Sequence, residues 1–110
     1  MSLQKETIIR SKAITQAAKG EPCTVCGKND GTTVFCHLNE SWAGKGMGRK
    51  ASDIAGFMGC RECHDIYDNR IVGPRHSDKA IMRAMYRTWV RLIEKNIITI
   101  KGRAARGQAA

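Results

Sequence analysis

A chain of 110 residues leaves room for a single domain, residues 1–110, and a content of 42% hydrophobic but only 5% aromatic residues makes a thin core that a metal staple would support. The formal charge of +9 favours a polyanionic partner, nucleic acid above all, and counts against a protein-interaction zinc finger. No apolar run reaches the roughly 18 residues of a membrane span, and MSLQKETIIRSK lacks the apolar core of a secretory signal; no membrane partner and a cytoplasmic location are expected, where stable disulfides are rare.

Residues 1–9 read as a flexible terminus, and residues 10–19, RSKAITQAAK, as a helix closed by Gly20. EPCTVCGKNDG is rich in turn formers and carries Cys23 and Cys26. TTVFCHL, 32–38, is a strand on its β-branched and aromatic content. NESWAGKGMGRKASD, 39–53, is a long Gly- and Lys-rich loop of the kind that is usually functional. The apolar segment IAGFMG, 54–59, has no form that its pattern fixes. A short helix starts near Cys60 and runs to about Arg70, before the break at Gly73-Pro74.

Residues 77–95 form the clearest helix, capped by Ser77, with Asp78 at the positive end of its dipole. Ile81, Met82, Met85, Trp89, Leu92 and Ile93 fall at helical spacing and are expected to face the core. Arg83, Arg87 and Arg91 recur every four residues on another face, which is either solvated or a ridge of phosphate contacts. IITIK, 97–101, is expected as a short edge strand, and residues 103–110 as a flexible basic tail.

Cys23-x-x-Cys26 and Cys60-x-x-Cys63 are two matched knuckles. Four thiolates complete a zinc tetrahedron at about 2.3 Å each, so a structural Cys₄ Zn²⁺ is expected in preference to a redox pair. The bound site would leave the protein at about +7, still strongly basic. The odd cysteine, Cys36, is read as a small buried hydrophobe within the strand.

His64 follows the second knuckle and Asp68 comes four residues later, so a helix places both on one face. With zinc satisfied by sulfur, a mixed imidazole and carboxylate pair suits a second divalent ion, Mg²⁺, Mn²⁺, Ni²⁺ or Zn²⁺. The duller readings are a cap or hydrogen bond near a zinc sulfur for His64, a surface pair with Arg61 or Arg70 for Asp68, and a satisfied strand histidine for His37. His37 lies on the strand between the knuckles, and imidazole suits general-base work near neutrality. His76 reads as a loop residue.

The pieces SKAITQAAKGEPCTVC, CHLN and CRECHDIYD, with the last helix, resemble the zinc-containing branch of the HNH, or ββα-metal, nucleases over residues 12–95. The closest likeness is to small nucleases encoded by phages and prophages. The resemblance implies an α+β fold: a zinc-stapled, treble-clef-like ββα-metal core, residues 21–70, between an N-terminal helix and a C-terminal amphipathic helix. It implies a metal-dependent DNA endonuclease in the bacterial host cytoplasm, acting on duplex or branched DNA. His37 takes the place of the general base, and His64 and Asp68 those of the ligands of the catalytic ion. Arg49 and Lys50 would grip phosphates, Gly44, Gly46 and Gly48 would let the loop come close, and Trp42 would stack on a base or pack. Two departures stand out. Cys36 occupies the place where a further ligand often precedes the base, and thiolate suits Mg²⁺ poorly. The middle asparagine has no clear match, with Asp53 and Asn39 both open. The alternative function is a non-catalytic zinc-containing nucleic-acid-binding accessory protein.

Overall fold

The computed structural model describes residues 7–45, 49–72 and 74–102; the expected tail at 103–110, most of the expected flexible N-terminus, and Gly46, Gly48 and Gly73 lie outside them. The first helix, α1, spans Lys12–Gln16, with the Ser11 hydroxyl accepting from the Ile14 amide at 3.2 Å. It is shorter than the expected 10–19. Its end tightens into i→i+3 bonds, Ala17 N to Ile14 O and Lys19 N to Gln16 O, and the chain turns at Gly20 with φ +81°.

Strand β1, Val34–His37, pairs antiparallel with β2, Gly56–Gly59, in the register Phe35 opposite Met58 and His37 opposite Gly56. Residues 56–59 of the unassigned apolar segment are thus the second strand, buried along its length, while Ile54 stays exposed. Glycine is required opposite His37. A Cβ on Gly56 would run into the Cys36 carbonyl oxygen and lie 2.6 Å from the Phe35 ring. The connection between the strands is long, and its described residues include a 3₁₀ turn, Ser41–Ala43. Helix α2, Arg61–Tyr67, leaves β2 directly, and Asp68 caps its C-terminal end. Among the described residues this gives a two-stranded sheet with three α-helices, an α+β arrangement.

Both faces of the hairpin are covered. Cys36, Leu38, Phe57, Ile81 and Ala84 pack together on one side, and Phe35, Met58, Ile14 and Leu92 on the other. Helix α3, Asp78–Glu94, crosses β2 and serves both groups. Its buried stripe is Ile81, Ala84, Thr88 and Leu92. Met82 and Trp89, expected in the core, are 67% and 42% exposed. The reason is close approach: the small Ala84 and Thr88 let the helix reach the β2 backbone, where large side chains would hold it off. Thr88 Oγ1 accepts from the Met58 amide at 2.9 Å and donates to the Ala84 carbonyl at 2.8 Å. The Trp89 indole instead reaches outward along the loop, donating to the Ile54 carbonyl at 3.1 Å.

Residues 97–101 form turns with one isolated bridge position at Ile100, not the expected strand. Ile97 and Ile98 still pack beside Leu92, held by amides bonded to its carbonyl. No helix among the described residues is long and apolar enough to cross a membrane.

Thr88→Val keeps the shape but removes the acceptor of the buried Met58 amide. It is expected to cost about 1–3 kcal/mol of stability, read as a lowered denaturation midpoint at fixed zinc.

Candidate active site

The two cysteine pairs meet. In the first, the amides of Val25 and Cys26 both point at Cys23 Sγ from 3.4 Å, and Gly27, φ +83°, closes the turn. The second pair begins α2, with Cys60 in extended backbone as its N-cap residue. All four Sγ atoms lie within 4.8 Å of one another, and Cys26 and Cys60 are 3.7 Å apart. Bonds of about 2.3 Å to a tetrahedral zinc give a sulfur–sulfur edge of about 3.8 Å. The donor set therefore fits a metal such as zinc. Burial works against ionising Cys23, but the amides of Cys26, Cys60 and Val25 outweigh it and bring the thiol to about 7. Burial pushes the Cys60 and Cys63 thiols up, and the neighbouring Cys23 charge adds to that push. Crowded sulfurs that resist ionisation together gain from a shared cation.

Cys36 is outside this group. Its side chain is fully buried on the strand face opposite His37, with Val34 and Gly59 carbonyls 3.6 and 3.9 Å from the sulfur. Burial pushes its thiol up to about 12.

On the other face of β1, a cleft of about 690 Å³ is lined by His37, His64 and Asp68, together with Arg49 and Lys50. Asn39, Asp53, Arg10, Lys45 and Arg70 also line it. The alternation of β1 turns His37 to this side, where the Phe35 ring meets it edge-on, 5.0 Å between centroids. His37 Nε2 is 2.8 Å from Asp53 Oδ1. One helical turn holds His64 and Asp68 together, Nε2 to Oδ2 3.0 Å, while Asn39 donates to Asp68 Oδ1 at 3.1 Å. Arg70 Nη2 also lies 3.5 Å from Asp68 Oδ2, so the surface pair named as the duller reading forms too. That 3.0 Å is a hydrogen-bond length. It is also the edge, about 3.0 Å, between adjacent ligands whose bonds to an ion are about 2.1 Å. Among the described residues, the four cysteines are the only group of three or more potential ligands within 4.8 Å. His37 therefore does not join His64 and Asp68 as a third ligand within that distance.

The two open candidates, Asp53 and Asn39, serve different halves of the cleft: Asp53 holds His37, and Asn39 holds Asp68. Arg10 reaches Asp53 from before α1, where no motif marks it. The arginine row divides. Arg91 makes two bonds to Glu21, Nε to Oε1 2.7 Å and Nη2 to Oε2 3.1 Å, and Lys95 adds a third. The Arg91 bond is the main reason the Glu21 carboxyl sits below its usual range. Arg87 donates to the Thr24 carbonyl at 3.0 Å, and Arg83 is exposed. His76 lines a separate hollow beside Tyr67 and Asn69.

The sequence model of the family described as "Putative nuclease YbcO" matches residues 12–97. The chain belongs to this family. The relative named "Putative nuclease YbcO" from Escherichia coli K12 is 28% identical over 92 residues, which covers 77% of this chain and 95% of the relative. The protein of the same name from Enterobacteria phage 82 matches with the same identity and coverage. A solved structure of "a putative bacteriophage protein" from Escherichia coli K-12 MG1655 superimposes with a TM-score of 0.55 at 28% identity, over 74% of this chain and 98% of that one. The expected kinship with small phage- and prophage-encoded nucleases is met at the level of this family.

The four sulfurs are expected to take up about one Zn²⁺ per chain. Metal analysis of purified protein measures this, and a strong chelator should unfold the domain as the zinc leaves. Metal-free protein that stays fully folded with free thiols would contradict the assignment.

Proposed function

We propose that this chain is a metal-dependent DNA endonuclease that hydrolyses phosphodiester bonds by an HNH-like mechanism in the cytoplasm of a bacterial host. One observation carries the reading: His37 on β1 and the His64–Asp68 pair on α2 line the same cation-rimmed cleft. The family name and the charge of +9 support it.

In this reading the four cysteines hold a structural zinc, which leaves the cleft to other chemistry. His37 is the general base. Its imidazole takes a proton from a water molecule, and the resulting hydroxide attacks the phosphorus in line with the leaving oxygen. The bond from phosphorus to the hydroxide oxygen forms as the bond to the 3′ oxygen breaks, and that oxygen takes a proton from solvent. His64 and Asp68 hold the catalytic ion, Mg²⁺, Mn²⁺, Ni²⁺ or Zn²⁺. When bound, the ion supplies Lewis-acid stabilisation of phosphate charge. Arg49 and Lys50 grip neighbouring phosphates, and Arg83 extends that contact along α3. Arg87 and Arg91 chiefly hold α3 against the first knuckle.

Plasmid nicking with each divalent ion tests the proposal. His37→Ala should keep zinc and fold yet lose on the order of 10²–10⁴-fold in rate. Asp68→Ala should also be slow, but raised metal should rescue it in part. Equal cleavage by His37→Ala would sink the assignment of the base. A wild type inert with every ion would favour the non-catalytic binding module.

Duplex binding should be electrostatic and largely independent of sequence. Arg49→Ala and Lys50→Ala should each reduce the slope of log affinity against log salt by up to about one unit. Arg91→Ala should leave the slope nearly unchanged and cost stability instead, because its guanidinium is already engaged by Glu21. The reverse pattern would move the DNA path from the cleft to α3.

A further inference from the structure

Asp53 lies 16 positions along the chain from His37, on the long connection between the strands, and it is 7% exposed. A carboxylate so placed needs partners, and each of them is a donor. Oδ2 accepts from the Ser11 amide at 2.7 Å. Oδ1 accepts from Arg10 Nη1 at 3.2 Å and faces His37 Nε2 at 2.8 Å. Burial works against the charged form. The His37 hydrogen bond, the Ser11 amide and the Arg10 charge outweigh it and hold the carboxyl below its usual range. An ionised carboxylate only accepts. Nε2 must therefore donate to it, and a neutral His37 ring then carries its lone pair on Nδ1.

What holds Asp53 is a strap of backbone from before α1. The Ile9 carbonyl accepts from the Asp53 amide at 2.8 Å, and the Ile9 amide donates to Ser52 Oγ at 3.0 Å. Arg10 is itself fixed by the carbonyls of Ala51 and Lys50, at 2.6 and 2.8 Å. The guanidinium thus ties together the carboxylate behind the histidine and the backbone that presents Lys50 at the cleft. The edge-on Phe35 ring limits the remaining freedom of the imidazole.

We infer that Asp53 is the positioning residue of His37, selecting the tautomer with Nε2–H toward the carboxylate and the lone pair on Nδ1, and that the strap of residues 9–11 fixes Asp53 in turn. The ring's catalytic role rests on the nuclease reading; its orientation does not. An orienting carboxylate of this kind lets a histidine accept a proton without turning, and it balances the imidazolium that results. Asp53 touches no substrate in this scheme and acts only through the ring.

Two readouts on the zinc-loaded full chain test the inference. The first is the tautomer of His37, read by long-range ¹⁵N–¹H correlation above the pH at which the ring is neutral. The wild type should show the Nε2–H form, and Asp53→Ala should show a mixture or the Nδ1–H form. The second is the steady-state rate. Asp53→Ala should lose on the order of 10²-fold in kcat with KM nearly unchanged, at unaltered zinc content. A wild type in the Nδ1–H form overturns the inference even if the variant fails to fold. So does a folded Asp53→Ala that keeps both tautomer and kcat. A wild type that cleaves nothing, but whose tautomer depends on Asp53, upholds the orientation and removes the nuclease reading.

Discussion

The geometry of the cleft depends on how the chain before β1 is tied to the start of α2. Four sulfurs within 4.8 Å join the turn at Cys23–Cys26 to Cys60 and Cys63. Hydrogen bonds extend that junction into the sheet and the last helix. Both the amide and the hydroxyl of Thr24 donate to the Met58 carbonyl on β2, at 2.8 and 2.7 Å. The Thr24 carbonyl in turn accepts from Arg87 on α3, and the Arg61 amide at the head of α2 donates to Thr32 Oγ1. His64 sits one residue beyond the last cysteine, so its position is inherited from this junction. At the far end of α2 a second tie acts: the Tyr67 ring meets Phe57 of β2 edge-on, 5.3 Å between centroids, and its hydroxyl accepts from the Asn39 amide at 3.0 Å.

The cleft is lined from two sides, by β1 with the loop after it and by α2. The strand supplies His37 and the loop behind it supplies Asp53; the helix supplies His64 and Asp68, with Asn39 reaching across to steady the latter. Each half thus has its own polar support. Lys45, Arg49 and Lys50 stand on the rim of the gap between them. Cys36, which stands beside His37 in sequence, is excluded by strand alternation. Its fully buried thiol faces the core, so it does not compete with the cleft for an ion.

Much of this was legible in the sequence because the relevant spacings are local. The two C-x-x-C turns, the i,i+4 placement of His64 and Asp68, and the capped helix after Ser77 are each read within a few residues. What escaped depends on contacts between distant segments. Arg10 meets Asp53 at a separation of 43 positions, and no pattern around either residue announces it. Asp53 and Asn39 could not be told apart while the path of the long loop was unknown. The buried stripe of α3 keeps Ile81 and Leu92 but departs from the expected one at Met82 and Trp89, for a different reason. Hydrophobicity favoured the large Met82 and Trp89, whereas the packing is decided by the small Ala84 and by Thr88, whose hydroxyl takes up a backbone amide. Residues 97–101 have β-branched content but find no strand partner beyond one bridge position, so composition alone misled there.

The central claim is that a sulfur-held metal builds the fold while a separate ion, facing His37, serves the cleft. Anomalous diffraction from crystals of the His37→Ala protein, grown with Mn²⁺ and a short DNA duplex, tests it most directly. Data at the zinc and manganese edges should place zinc among the four sulfurs and manganese beside His64 and Asp68, with a backbone phosphate between the manganese and position 37. Manganese elsewhere, or DNA lying along α3 with the cleft empty of phosphate, would contradict the account.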